Sequence, residues 1–452
     1  MPVPRNTRTI ALLAFCAASG LPPRSVRANG AFPAVSQLVA DPSDQAHLVL
    51  RSNFGLLITH DRGSSWDLVC EAGLGYQNVE PAIALLADGT TIAALPNGIA
   101  HGTSECAFGL ATGVTAYVAD VARVPDVPGR AVAVSVDIDA SVSQVWHSLD
   151  GGRSWSAWGS PLNELNAATL DSAGAEDGPL YVSGVTQNGT VKGVLARSTD
   201  RGQTWIRMDV PGASKVSAPY IAALAADDPD TLYVRLSGSP GRLLVTHDGG
   251  ARWSTALDFA GPLDGFALSP DGGYALASGR VDGVWRARTS DLTFERVSCS
   301  KLRCLSWTSA GLFACADEFQ AGFLVGESQD SGFTFQPRLH LSCVRGPLSC
   351  PSDSSVAEAC AAGWPALSEV LGTDCANSVF TPRDDCSNGG SSGGGALASA
   401  GASGAGKDAA LRAGAGCSLS VHRNENAVWL LALLALLCGI ERRRATMSER
   451  CR

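Results

Sequence analysis

One short pattern, Ser/Thr-x-Asp-x-Gly-x-x-Trp/Phe, recurs five times: Thr59-Asp61-Gly63-Trp66, Ser148-Asp150-Gly152-Trp155, Ser198-Asp200-Gly202-Trp205, Thr246-Asp248-Gly250-Trp253 and Ser328-Asp330-Gly332-Phe335. Self-similarity on this scale specifies an array of small like units rather than one irregular core. The pattern has a mechanical reading. An Asp side chain accepts hydrogen bonds from the N–H groups of a tight turn, and the nearby hydroxyl supports the same turn. Gly allows the positive φ that such a turn often needs. The aromatic then folds back under the loop as an apolar plug. Each copy reads as a hairpin staple.

With all its elements recurring together, the repeat resembles the Asp-box (BNR repeat) of sialidase-like and sortilin-like β-propellers. Trp66 and Trp155 lie about two repeat lengths apart, so a unit with a decayed box is expected between them. Phe108, in His101-Gly102-Thr103-Ser104-Glu105-Cys106-Ala107-Phe108, stands where its aromatic belongs. Between Trp253 and Phe335 the segment Thr289-Ser290-Asp291-Leu292-Thr293-Phe294 supplies another unit, shortened and without the Gly. The aromatics then recur every 40 to 50 residues or about that, the length of a four-stranded propeller blade. A second register agrees. Val39-Ala40-Asp41-Pro42-Ser43-Asp44 precedes the first box much as Ala226-Asp227-Asp228-Pro229-Asp230 precedes the fourth, each a turn signal before an apolar strand. The expected fold is all-β: a seven-bladed β-propeller over residues 29–338 with Asp-box hairpins, followed by a small disulfide-rich segment. High Gly, scarce Met and the lack of any helix-period stretch before residue 335 agree.

Both ends read as addresses. Arg5 and Arg8, the apolar Ile10 to Leu21 and Val26-Arg27-Ala28 form a signal peptide over 1–28; an internal start at a later Met is the alternative. Residues 389–416 are dominated by Gly, Ala and Ser, a flexible tether by composition. In 417–452, Cys417, the apolar Ala427 to Ile440 and Arg442 to Arg444 follow in order. That run is short for a transmembrane helix, which needs about 20 residues. Together the three elements resemble the MYXO-CTERM sorting tail of myxobacterial surface proteins. The resemblance implies processing near Cys417, a lipid on that thiol as one means of anchoring, and retention on the cell surface or outer membrane. A short membrane anchor left in place is the alternative.

Fourteen cysteines are present. Setting aside Cys16 in the signal and Cys417, Cys438 and Cys451 in the tail leaves an even set, which in an oxidising compartment reads as disulfides. Cys70 with Cys106 is an attractive pair, because the two lie near successive boxes. The cysteines of 339–388 are expected to bridge largely among themselves, in a knot on or beside the last blade with one helix over Ala357 to Leu371. Zinc is the rival for this cluster, but no paired C-x2-C spacing is present and His340 is the only nearby imidazole. Neither metal nor cofactor is expected.

Catalytic signals are sparse. In propellers resembling this one the boxes occupy peripheral hairpins remote from the ligand face, so Asp61, Asp150, Asp200, Asp248 and Asp330 are expected to be structural. A sialidase site needs an Arg triad, a Tyr nucleophile with its Glu, and an acid/base Asp. The Arg-Ile-Pro segment is absent, Arg62, Arg153, Arg201 and Arg252 lie inside boxes, and Tyr181 and Tyr233 fall in strand-like runs that read as core. Asp137 and Asp139 alternate on one strand, but a strand end or turn is the favoured reading. No G-x-S-x-G, P-loop or H-E-x-x-H occurs. A net charge of −9 without a basic stripe argues against nucleic acid as a partner. Trp146, Trp158, Trp285 and Trp307 lie outside the boxes, with packing the favoured reading and ligand stacking the alternative. Residues 29–335 and the tail also resemble exported myxobacterial surface propellers, from Asn29-Gly30-Ala31-Phe32-Pro33 through Phe54-Gly55-Leu56-Leu57-Ile58 into the first box. The expectation is a monomeric, non-enzymatic surface propeller binding a glycan or protein and meeting the membrane through its tail. The competing expectation is an extracellular glycoside hydrolase with an unrecognised carboxylate pair.

Overall fold

The computed structural model of the protein describes residues 32–377, apart from 126, 175–177, 188, 189 and 373. The expected signal peptide, the linker and the tail with Cys417 lie outside the described residues, as does Cys386. Seven antiparallel sheets follow one another along the chain, from Val35–Ala40 at the inner edge of blade 1 to Gln336–Leu339 at the outer edge of blade 7. Each is a four-stranded meander, with a short fifth strand added in blades 1 and 3. Innermost strands meet those of both neighbouring blades, and Val35–Ala40 meets Leu302–Thr308 to close the ring. The expected seven-bladed propeller is the fold.

The core lies between blades rather than within them. Seven apolar clusters correspond to the seven blade-to-blade junctions, as in Leu57, Trp66, Phe313 and Leu324 between blades 1 and 7. This explains why the middle strands are apolar on both sides. Gly55–Thr59 is buried at every position, whereas the outer strand Ile206–Asp209 is largely exposed. A strand covered on both faces reads as a continuous apolar run rather than an alternation.

Among the described residues, no blade borrows a strand from the far end of the chain to complete its four. The chain after blade 7 crosses the closure instead. Val344–Pro347 pairs in parallel with Trp66–Cys70, the outer strand of blade 1. Arg345 then pairs with Asp67. Where a helix was expected over Ala357 to Leu371, one runs Ser355–Leu371, capped by Ser354, which accepts the N–H of Ala357 at 3.1 Å. The cysteine-rich segment packs into the junction of blades 7 and 1, through Leu341, Val344 and Leu371, and extends over blades 1 and 2.

The disulfides correct the expected pairing too. Cys70 bonds Cys360 and Cys106 bonds Cys350, spanning 290 and 244 residues. Cys343–Cys375 is internal to the segment, while Cys304–Cys315 links directly opposed residues of adjacent strands in blade 7. Cys70 and Cys106 cannot pair for a topological reason. Cys70 ends the fourth strand of blade 1, whereas Cys106 sits in the hairpin before the fourth strand of blade 2. The two therefore lie at opposite ends of the blade edge.

Candidate functional site

The alternation of strands gives the disc two faces. One carries the turns from first to second and from third to fourth strand; the other carries the turns from second to third strand and the connections between blades. All five repeats lie on the first, in third-to-fourth hairpins.

They fold alike. In blade 1 the Thr59 hydroxyl donates to Asp61 Oδ1 at 2.8 Å and accepts the N–H of Gly63 at 2.9 Å. Asp61 also accepts the N–H of Ser65 at 2.8 Å and its hydroxyl at 2.5 Å. The same bonds recur through Ser148, Asp150, Gly152 and Ser154, through Ser198, Asp200, Gly202 and Thr204, and through Ser328, Asp330, Gly332 and Thr334. In blade 5, Thr246, Asp248 and Gly250 keep the pattern and Asp248 still accepts the N–H of the residue before the aromatic, Arg252, at 2.8 Å, but Arg252 has no hydroxyl to add the second bond. The hydroxyl just before the aromatic is thus part of the staple, and it stood in the sequence outside the pattern. Gly63 has φ of 84° and Arg62 before it 58°, so two successive residues are left-handed, a conformation Gly adopts without steric cost. Trp66 is buried with its indole N–H on the Gly63 carbonyl at 3.1 Å, and Trp155 does the same to Gly152 at 2.9 Å. Trp205 reaches Ser160 instead, at 3.2 Å, and Trp253 and Phe335 pack into junction clusters.

The two units without a full repeat are held differently. In blade 6, Asp291 accepts only the N–H of Thr293, at 2.8 Å, and Phe294 packs into the junction of blades 5 and 6. In blade 2, Phe108 packs into the junction with blade 1, and the turn is tied by Cys106–Cys350.

A convergent carboxylate pair near the propeller axis would suit a glycosidase. Asp120 and Asp171 stand there, on the innermost strands Val118–Arg123 and Leu165–Ser172 of blades 3 and 4. Burial pushes the Asp120 carboxyl up to about 7, with the charge of Asp171 adding to it, and burial pushes Asp171 up to about 6. Neither residue was picked out from the sequence, because a lone Asp in an apolar run gives no signal of its channel neighbour. Their bonds are to the scaffold: Asp120 accepts the N–H of Leu170 at 3.0 Å and of Val121 at 2.9 Å, and Asp171 that of Ser172 at 2.8 Å. This is part of a wider arrangement. Gln37 of blade 1 bonds both backbone groups of Ile83 in blade 2, at 2.9 and 3.1 Å. Thr169 of blade 4 accepts the N–H of Ile221 in blade 5 at 2.9 Å, and Arg235 of blade 5 donates to the Leu263 carbonyl before blade 6 at 3.2 Å. An innermost strand has one edge without a strand partner, and side chains of the preceding blade occupy its backbone groups.

Asp137 and Asp139 both line the open depression beside Tyr117 and Ile138 on the second face. Asp137 ends its strand and accepts the N–H of Ala140 at 2.9 Å, closing a turn as expected. Tyr181 and Tyr233 are buried core residues. The tryptophans outside the repeats are also engaged: Trp146 donates to Ser135 at 2.8 Å, Trp285 to the Asp282 carbonyl at 2.9 Å, Trp158 stacks on His147 and Trp307 packs between blades 6 and 7.

Leu149 and Phe333 are exposed within the repeats of the stapled face, but more of the exposed apolar side chains lie on the second face. Phe32, Tyr117, Ile138, Val216, Val281 and Phe319 are all exposed there. Phe32 and Phe319 meet edge to face at 4.7 Å. Tyr117 and Ile138 border an open depression of about 500 Å³, and Val216, Pro240 and the Arg242–Asp258 ion pair border a cavity of about 330 Å³.

Among solved structures the chain is similar to an ancestral GH74 enzyme, with a TM-score of 0.52 and 15% identity over 68% of this chain and 46% of that one. It is also similar to the extracellular domain of a one-component system from B. thetaiotaomicron, at TM-score 0.45 and 13% identity over 63% of this chain and 37% of that chain. A third is YCF48 bound to a D1 peptide, at TM-score 0.43 and 13% identity over 63% and 89% of the two chains. The chain spans less than half the length of the ancestral enzyme. No protein-family model matches the chain, and no curated protein matches it in sequence. At these identities the likeness shows the propeller fold alone.

Proposed function

We propose that the chain is an exported, cell-surface propeller of the Asp-box type that binds a glycan or protein through the face opposite the staples, without catalysing a reaction. The observation that carries this reading is the concentration of exposed apolar side chains on the second face, on loops from blades 3, 5, 6 and 7 and the segment leading into blade 1. Loops on a rigid scaffold are the usual place for recognition, and an apolar surface rimmed by polar residues suits a partner. The axial carboxylates bond to backbone groups of the strands beside them, which leaves them a structural part. Disulfides joining blades 1 and 2 to the C-terminal segment suit an oxidising compartment. Anchoring through a lipid on Cys417, with the tail meeting the membrane, belongs to the same proposal, as does a monomeric state without nucleic acid.

A second reading is favoured by one observation, the raised carboxyl of Asp120 beside Asp171. A glycoside hydrolase uses a protonated acid and an ionised partner flanking the scissile bond, and this pair would supply them. Incubating the full chain with a polysaccharide and glycan panel, with products read by mass spectrometry and retention recorded, separates the two. Retention without release is expected. Time-dependent release that disappears in Asp120→Asn would replace the binding reading with the enzymatic one.

A further inference from the structure

On the stapled face, at the junction of blades 1 and 2, three donor groups converge. His47 precedes the second strand of blade 1, His60 lies inside its repeat, and Glu105 lies in the turn of blade 2 that lost the repeat. One donor atom from each falls within 4.8 Å of the others. His47 Nε2 is 2.9 Å from Glu105 Oε1, and His60 Nε2 is 2.9 Å from Glu105 Oε2. His47 Nε2 and Glu105 Oε1 are both buried and face each other at that distance. Behind them Asp41 Oδ2 faces His47 Nδ1 at 3.2 Å. Its other oxygen accepts the N–H and hydroxyl of Ser43, at 2.8 and 2.7 Å, and the N–H of Asp44 at 3.2 Å.

We propose that His47, His60 and Glu105 form a zinc site that joins blade 1 to blade 2, with Asp41 holding the His47 ring from behind. Two imidazoles and a carboxylate are a zinc donor set, with water completing the tetrahedron. A carboxylate behind a ligating histidine fixes the tautomer that leaves Nε2 free to bind. At Zn–N and Zn–O distances of about 2.0–2.1 Å, tetrahedral donors stand about 3.3 Å apart, so the present contacts open by a few tenths of an ångström. His60 stacks on His47 with centroids 4.4 Å apart, and coordination turns its ring off that stack. The side chain is 56% exposed and so has room to turn, and it leaves the fourth position open to water. The backbone on either side is already fixed, by the Thr59 and Asp61 bonds around His60 and by Cys106–Cys350 beside Glu105. The metal thus stands where the missing repeat of blade 2 leaves its turn without an internal staple.

The test uses the full chain, stripped with chelator and with its free thiols alkylated, titrated with Zn²⁺ by calorimetry. One equivalent is expected to bind, raising the melting temperature. His60→Ala, which alters an exposed side chain, should retain the fold by circular dichroism and lose the heat signal and the thermal shift. Asp41→Asn is expected to weaken binding by about 10–100-fold. Cu²⁺ loaded into the wild type should give an electron paramagnetic resonance spectrum with coupling to two imidazole nitrogens, reduced to one in His60→Ala. No zinc binding by the wild type, or equal binding by a folded His60→Ala, would overturn the proposal in favour of a His–Glu network closed by protons.

Discussion

The two faces of the disc put the same kind of loop to different uses. On the stapled face the third-to-fourth turns of five blades are closed by their own side chains, with each Asp and hydroxyl engaged inside the turn. On the opposite face the loops expose Tyr117, Ile138, Val216, Val281 and Phe319. A polar side chain that bonds its own turn fixes a shape and leaves little for a partner, while an apolar side chain in water has unsatisfied surface to offer. Under the proposed binding function, rigidity and recognition fall at opposite ends of the same strands, so changes on one face should leave the property of the other intact.

The largest expected effect lies at the blade 2 turn, where a disulfide stands in for the repeat. Cys106→Ser with Cys350→Ser should cost roughly 2–5 kcal/mol in equilibrium denaturation, because the bond closes a very long loop. Partner retention under native conditions should be unchanged. A comparable loss of retention would break the separation of the faces.

Adjacent blades offer the next comparison. Thr246→Val in blade 5 leaves the buried N–H of Gly250 without an acceptor, at a cost of about 1–3 kcal/mol. Thr289→Val in blade 6 removes only a bond to the Gly272 carbonyl and should cost about 1 kcal/mol or less. Equal costs in chemical denaturation would mean the intact staple adds nothing beyond a single hydrogen bond.

Stability should depend on pH in two opposed limbs. In the folded state the Ser154 and Ser148 bonds hold the Asp150 carboxyl at about 2, against the raising effect of its slight burial, and Thr204 and Ser198 hold Asp200 at about 2. With an ordinary value of 3.8, these groups stabilise fully above that value and the contribution is lost as pH falls towards 2. Asp120 is shifted the other way, so its contribution is full below 3.8 and is lost as pH rises through about 7. Asp171, pushed up to about 6 by burial, shares that limb, so Asp120→Asn should shrink the neutral limb of the denaturation midpoint against pH and leave the acid limb in place. An unchanged neutral limb would show that the Asp120 carboxyl ionises freely in the channel.

The smallest effect on stability belongs to the second face. Ile138→Ser and Val216→Ser remove exposed side chains and should change stability by no more than about 0.5 kcal/mol.

Much of this architecture is legible in the residues themselves. Asp61, Gly63 and Trp66 with their four counterparts give the blade length, and Phe108 and Phe294 mark the two units whose turn residues have drifted. The packing of those aromatics between blades keeps the period readable after the turn chemistry has gone. Ring closure hid the rest. Cys360 and Cys350 meet Cys70 and Cys106 only because the last blade returns to the first, and nothing in local spacing carries that contact. The same holds for Asp120 beside Leu170 and for His47, His60 and Glu105, which are brought together by blades packing side by side. Ser65 and its counterparts were visible, but one Ser or Thr in a turn carries little signal until its bond to the Asp is seen.

The central claim, a binding face without catalysis, is tested most directly by one paired measurement on the full chain. Retention on a glycan and surface-protein panel is recorded for the wild type, Ile138→Ser with Phe319→Ser, and Asp120→Asn with Asp171→Asn, while released sugar is followed by mass spectrometry. The account predicts retention by the wild type, at least a tenfold loss in the apolar variant, retention in the carboxylate variant and no release by any of them. Sugar released by the wild type and abolished in the carboxylate variant would contradict it.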